Sequence, residues 1–136
     1  MAGYSGKPLA QKLGIKPGWR VYVHDGPEGY LRMLGPLPED VTFLPRPAGR
    51  LDMVHLFTRK AAELGAQLAQ YRHRIAPDGV IWVSWPKKAA KVPTDMTEDV
   101  VRDLALPLGL VDVKVCAVDE TWSGLKLVIR LENREA

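Results

Sequence analysis

A single cysteine, Cys116, stands in a chain of 136 residues, so no internal disulfide, Cys-x-x-Cys redox pair or thiolate zinc cluster can be assembled. Histidine is nearly as scarce: His24, His55 and His73 are scattered along the chain, and they support neither a metal site nor a catalytic triad. The strongly apolar stretches, such as Gly79 to Trp85, are far shorter than the roughly 18 residues that span a bilayer. The first residues, Met1 to Pro8, carry no hydrophobic signal core, so a cytoplasmic protein with no membrane attachment is expected. An excess of one charge is also missing. With 19 Lys+Arg against 16 Asp+Glu the net charge is +3 and the isoelectric point is near 9.1. That is far from the dense basic stripe of a nucleic-acid-binding protein, so nucleic acid is not expected as a partner unless a localised patch supplies the charge.

What remains is an ordinary globular composition, 46% apolar and 26% charged. A mass of 15.1 kDa fits one domain over residues 1–136, with residues 1–18 as an N-terminal capping segment. In that segment Leu9 and Leu13 share the face of a short helix that Gly14 ends. Trp19 to Val23 alternates as a first strand, and a short helix from Pro27 to Leu34 follows. Val41 to Leu44, boxed by prolines, reads as a short edge strand whose pairing is left open. Leu51 to Phe57 and Val80 to Trp85 are nearly continuous apolar runs, the pattern of parallel strands buried on both faces. Between them, Thr58 to Arg74 has helical spacing, and Ala76-Pro-Asp-Gly79 reads as a break. Asp95 with Glu98 resembles a capping box opening a helix toward Leu108. Leu110 to Val118 and Gly124 to Leu131 alternate as a terminal hairpin. The core predicted from these periods is Val21, Val23, Val54, Leu56, Leu64, Leu68, Ile81, Val83, Val101, Leu104, Val115 and Val128.

This order is an α/β pattern with helices on both faces of a mostly parallel sheet. A last helix followed by two strands joined by a short turn resembles the methyltransferase-like variant of the Rossmann architecture. The phrases Leu51-Asp-Met-Val-His-Leu56, Arg74-Ile-Ala-Pro-Asp-Gly-Val-Ile-Trp-Val83 and Leu108-Gly-Leu-Val-Asp112 carry that resemblance by their order. At closer range, Gly3-Tyr-Ser-Gly-Lys-Pro-Leu9, Trp85-Pro-Lys-Lys-Ala89, Thr94 to Arg102 and Lys114 to Leu125 resemble an uncharacterised bacterial family known only as a domain of unknown function. The resemblance implies a three-layer Rossmann-like fold, similar to S-adenosylmethionine methyltransferases, with strand order 2-1-3-4-6-5 and the last strand antiparallel. It implies no reaction and transfers no catalytic residue.

In such a sheet, ligands bind outside the carboxyl ends of the strands. That end collects the candidate ligand-binding residues. Asp25, Gly26 and Gly29 follow the first strand as a plain turn or, alternatively, a reduced glycine loop for a ligand. Arg59, Lys87 and Lys88, with Lys91, make a candidate anion site or a solvated basic loop. Trp85 precedes those lysines. Asp119, Glu120, Trp122 and Ser123 combine a base, a stacking ring and a hydroxyl in the hairpin turn, or build the turn alone. Trp85, Lys87, Lys88, Asp119, Glu120 and Trp122 are expected at one end of the sheet, with Trp122 near Trp85 and some pairing between lysines and acids. Cys116 reads as a buried small hydrophobe.

The glycine loop is short, and the second strand ends Leu44-Pro45-Arg46 without an acid for ribose hydroxyls. The first expectation is therefore a small Rossmann-like binding protein without the standard methyl-donor site, holding an anionic or planar small molecule or a protein partner. S-adenosylmethionine is a possible cofactor that this reading does not favour. The alternative is a small methyltransferase with an atypical S-adenosylmethionine pocket, in which Asp119 or Glu120 acts as base and Trp122 aligns the acceptor.

Overall fold

A computed structural model describes residues 7–134, so the start of the expected capping segment lies outside the described residues. The chain forms α1 (Leu9–Leu13), β1 (Arg20–His24), α2 (Tyr30–Leu34), β2 (Thr42–Leu44), β3 (Leu51–Phe57) and α3 (Ala61–Arg72). These are followed by β4 (Ile75–Pro86), α4 (Glu98–Ala105), β5 (Leu110–Ala117) and β6 (Trp122–Ile129). The sheet runs β2-β1-β3-β4-β6-β5, the order expected from the sequence. β2, β1, β3 and β4 pair in parallel, and β6 lies antiparallel to both β4 and β5. The short β2 does pair, along β1 from Arg20↔Thr42 to Tyr22↔Leu44.

Alternation along the central strands separates two cores. Val54 and Leu56 of β3 join Ile81 and Val83 of β4 under Leu64, Leu68 and Val101 of α3 and α4. Met53 and Phe57 face the other way, with Trp82, toward Leu13, Tyr30 and Leu34 of α1 and α2. Each fully buried large apolar side chain contributes on the order of 1.5–3 kcal/mol. The short α1 is anchored by more than burial: the Trp82 indole N–H donates to the Leu13 carbonyl at 3.0 Å. Gly14, at φ 77°, ends α1 by donating its N–H to the Ala10 and Gln11 carbonyls.

Several local expectations change. Ala76 to Gly79 is not a break, because β4 starts at Ile75 and bulges there: Leu51 pairs with Ile75 but Met53 pairs with Val80. A Cβ on Gly79 would lie 2.9 Å from the Ala76 carbonyl oxygen, so this fold of the backbone requires glycine. α3 begins at Ala61 rather than Thr58, whose hydroxyl accepts the Lys60 N–H and holds the preceding turn. α4 is capped by Thr97, which accepts the Val100 N–H, and not by Asp95. Asp95 reaches across to accept the Ala61 N–H at 2.8 Å, satisfying a donor at the start of α3.

Of the predicted core, Val115 is wrong: it is 50% exposed, with Val113 at 54%. β5 is an edge strand with a bulge between Asp112 and Lys114, and its residues from Val113 to Val115 are exposed. Val23, Leu104 and Val128 are half-buried, and the other predicted core residues are buried. Among the described residues no helix is long and apolar enough to cross a membrane.

Candidate functional site

The carboxyl ends of β1 and β3 meet the start of β6 because β6 inserts beside β4 in antiparallel sense. Pro86 therefore pairs with Trp122, and the Lys87 N–H donates to the Thr121 carbonyl at 2.7 Å. A cleft of about 520 Å³ opens at this end. Asp25 comes from the exit of β1, Phe57, Thr58, Arg59 and Lys60 from the exit of β3, Glu63 from α3, and Val92, Thr121 and Trp122 close it. Phe57 and Trp122 meet edge to face, with ring centroids 5.1 Å apart.

Asp25, Arg59 and Trp122 are thus brought together. Asp25 holds a left-handed backbone at φ 55°, and its exposed carboxylate lies 3.4 Å from His24 Nε2. The Arg59 carbonyl accepts the Thr94 hydroxyl, which ties this exit to the segment before α4. Gly26 borders a neighbouring groove instead, and Gly29 lines neither. A Cβ on Gly26 would lie 2.6 Å from Val23 Cγ1, and Gly29, at φ 81°, precedes α2 with open space beside it.

The remaining candidates fall elsewhere. Trp85 pairs with Ser123 and turns into the α3/α4 core, 7% exposed, while Trp122 turns to the opposite face. The two rings are neighbours in register but separated by the sheet, because successive residues of a strand face opposite ways. Lys87 and Lys88 stand at the same end of the sheet without lining the cleft. Among the described residues, no ion pair joins them to Asp119 or Glu120. Asp119 Oδ1 accepts the N–H groups of Thr121 and Trp122, both at 2.8 Å, so this carboxylate builds the hairpin turn. Glu120 borders a separate groove beside Lys12 and Met33. Ser123 is a strand residue, since β6 begins at Trp122.

The sequence reading missed Phe57, Lys60, Glu63 and Thr121. The period-four step from Arg59 to Glu63 was the available signal, but only the turn after Thr58 aims both at one space. It also missed a buried chain behind the cleft. The Tyr30 hydroxyl is 2.7 Å from His55 Nδ1, and His55 Nε2 is 2.8 Å from the Ser84 hydroxyl. His55 stacks on Phe57 at 4.3 Å, so the chain touches the wall of the cleft. Burial pulls the imidazole down to about 3 and pushes the Tyr30 phenol far above its ordinary value. A neutral ring has one N–H and one lone pair, which matches one donated and one accepted hydrogen bond. Cys116 is half-buried, and burial raises its thiol, which makes it a poor nucleophile.

No family model and no curated protein sequence matches the chain. Solved structures do. A S-adenosylmethionine-dependent methyltransferase from Aquifex aeolicus superposes with a TM-score of 0.60 over 89% of this chain and 88% of that one, at 16% identity. The magnesium protoporphyrin IX methyltransferase of Synechocystis PCC 6803, with bound S-adenosylmethionine, gives 0.59 over 89% and 74%, at 13% identity. The ribosomal protein L11 methylase of Lactobacillus delbrueckii subsp. bulgaricus gives 0.59 over 90% and 75%, at 12% identity.

The chain has the Rossmann-like fold of S-adenosylmethionine-dependent methyltransferases. The first expectation, a binding protein without a methyl-donor site, is corrected by this finding. The three structures named are those of methyltransferases, two of them named for S-adenosylmethionine.

Proposed function

We propose that this chain is a small methyltransferase whose atypical S-adenosylmethionine pocket is the cleft between Asp25, Phe57, Arg59, Glu63 and Trp122. The observation that carries the reading is the position and make-up of that cleft: it lies outside the carboxyl ends of β1 and β3, where open α/β sheets take their ligands. Its volume of about 520 Å³ falls within the range of small-molecule sites.

The residues present fit the cofactor's chemistry. S-adenosylmethionine combines a planar purine, ribose hydroxyls and an amino-acid end bearing both charges. The rings of Phe57 and Trp122 offer the purine an apolar wall. The carboxylates of Asp25 and Glu63 accept hydrogen bonds from hydroxyls or an ammonium, taking the place of the acid that β2 lacks. Arg59 and Lys60 pair with a carboxylate, and the Thr121 hydroxyl adds a neutral donor. When bound, the cofactor supplies an electrophilic methyl group on a sulfonium. Asp25 and Glu63 are also the carboxylates positioned to receive a proton from a methyl acceptor, since Asp119 is committed to its turn. On this reading the uncharacterised bacterial family that the chain resembles consists of methyltransferases. The single cysteine, with no partner for an internal disulfide, suits a reducing cytoplasm.

Titrating the protein with S-adenosylmethionine and S-adenosylhomocysteine, followed by calorimetry, tests the proposal. Both ligands are expected to bind, with Trp122→Ala and Asp25→Asn each weakening binding about tenfold or more, the loss of one good contact. Absence of binding by either ligand to a folded sample defeats the reading.

A further inference from the structure

At the far end of the sheet, about 20 Å away along the seven residues of β3, arginines gather. Two adjoining clefts open there, of about 100 and 480 Å³, and Arg50 and His73 border both. Arg72 and Arg134 line the smaller and Arg74 the larger, while no acidic residue lines either. Arg50 precedes β3, Arg72 and Arg74 lie at the α3–β4 connection and Arg134 follows β6, so three segments deliver these side chains to one place.

The plain account is that Arg72 and its neighbours complement the carboxyl end of α3. It covers only part of the cluster. Arg72 Nε does donate to the Leu108 carbonyl, and Arg134 Nε donates to the Ile129 carbonyl at 2.8 Å. Those bonds fix the side chains and leave the terminal guanidinium nitrogens facing no partner of opposite charge. Among the described residues, none of the four arginines has a carboxylate within 4.0 Å. Of the acids near this end, Asp52 accepts the Arg20 N–H, Glu132 pairs with Arg130 at 3.8 Å, and the exposed Asp78, next to Pro77, lines neither cleft. Like charges gathered without counter-charge raise the energy of the folded chain, and a bound polyanion relieves that repulsion.

We propose that this arginine-lined pair of clefts is a binding site for a short chain of linked phosphates, as carried by an inorganic polyphosphate or a nucleoside polyphosphate. Guanidinium forks match phosphate oxygens two at a time, and two joined clefts sharing Arg50 suit an anion of more than one group. The compact volume favours a small ligand over a polymer lying across an open face. The site stands apart from the methyl-donor cleft and does not depend on that reading.

Calorimetric titration of the full chain with tripolyphosphate, in low and physiological salt, tests it. Saturable binding is expected, weakening as salt rises, and at least about tenfold weaker in the double variant Arg50→Gln, Arg74→Gln. Both arginines are exposed, so the variant keeps its urea midpoint. Lys88→Gln, at the opposite end of the sheet, leaves the affinity unchanged. A flat titration, an affinity unmoved by the double variant, or an equal loss in Lys88→Gln overturns the proposal. A single-stranded RNA that binds far more tightly than tripolyphosphate through the same arginines also overturns it, because the occupant is then a polymer.

Discussion

The two faces of the sheet are covered by different means. On one, α3 has 12 residues and α4 eight, and both present an apolar stripe of leucine, valine and alanine to the strands. On the other, α1 and α2 have five residues each, too few to hold helical structure by themselves. That second face substitutes specific polar contacts for helical length. Trp82 donates to Leu13, and Tyr30, His55 and Ser84 tie α2 to β3 and β4. Long helices are held by area, which tolerates small changes, whereas short ones are held by single hydrogen bonds, which do not. The candidate methyl-donor cleft borders the second kind of face through Phe57 and Trp122.

Truncation in each core is the severest way to probe this contrast. Trp82→Ala is expected to cost about 3–5 kcal/mol and Leu68→Ala about 2–5 kcal/mol in urea unfolding. The sharper comparison is Trp82→Phe, which keeps most of the ring volume but strands the Leu13 carbonyl. Hydrogen exchange should then show α1 amides losing protection while those of α3 keep theirs. Equal loss in both helices would show that the indole acts by volume alone.

Acid probes the polar chain next. The folded protein refuses a proton at His55 until about pH 3, whereas an unfolded chain accepts one near 6.5. This contribution is fully present above pH 6.5 and falls by about 1.4 kcal/mol per pH unit as pH drops toward 3. His55→Gln, which does not titrate, should remove that slope from the pH dependence of unfolding. A variant with the slope intact would place the acid sensitivity elsewhere.

The smallest effect expected is at Asp95. Asp95→Ala should cost about 0.5–1 kcal/mol and loosen the first turn of α3, because its carboxylate satisfies the Ala61 N–H. If exchange rises in α4 instead, the sequence reading of Asp95 as the cap of that helix is restored.

Much of the fold was legible because its signals are local. The unbroken apolar runs of β3 and β4 mark strands buried on both sides, and the helix placed before a hairpin orders the strands. The site was less legible. Asp25, Arg59 and Trp122 follow from the rule that strand exits gather ligands, but Phe57, Lys60 and Glu63 reach the same cleft through a turn whose path depends on Thr58. Trp85 and Trp122 look like partners in sequence, yet pairing register sends them to opposite faces.

The sequence by itself determined the order of elements, the burial of the central strands and the end of the sheet at which the hairpin returns, since periodicity and chain connectivity constrain these directly. Tertiary structure alone decided where side chains at element boundaries point. It sent Asp95 to α3, spent Asp119 on a turn, exposed Val115 on an edge and gathered arginines of three segments around two clefts. Those outcomes depend on register shifts and on which distant donor comes within hydrogen-bond reach, and a bulge of a few residues changes both without altering the pattern along the chain.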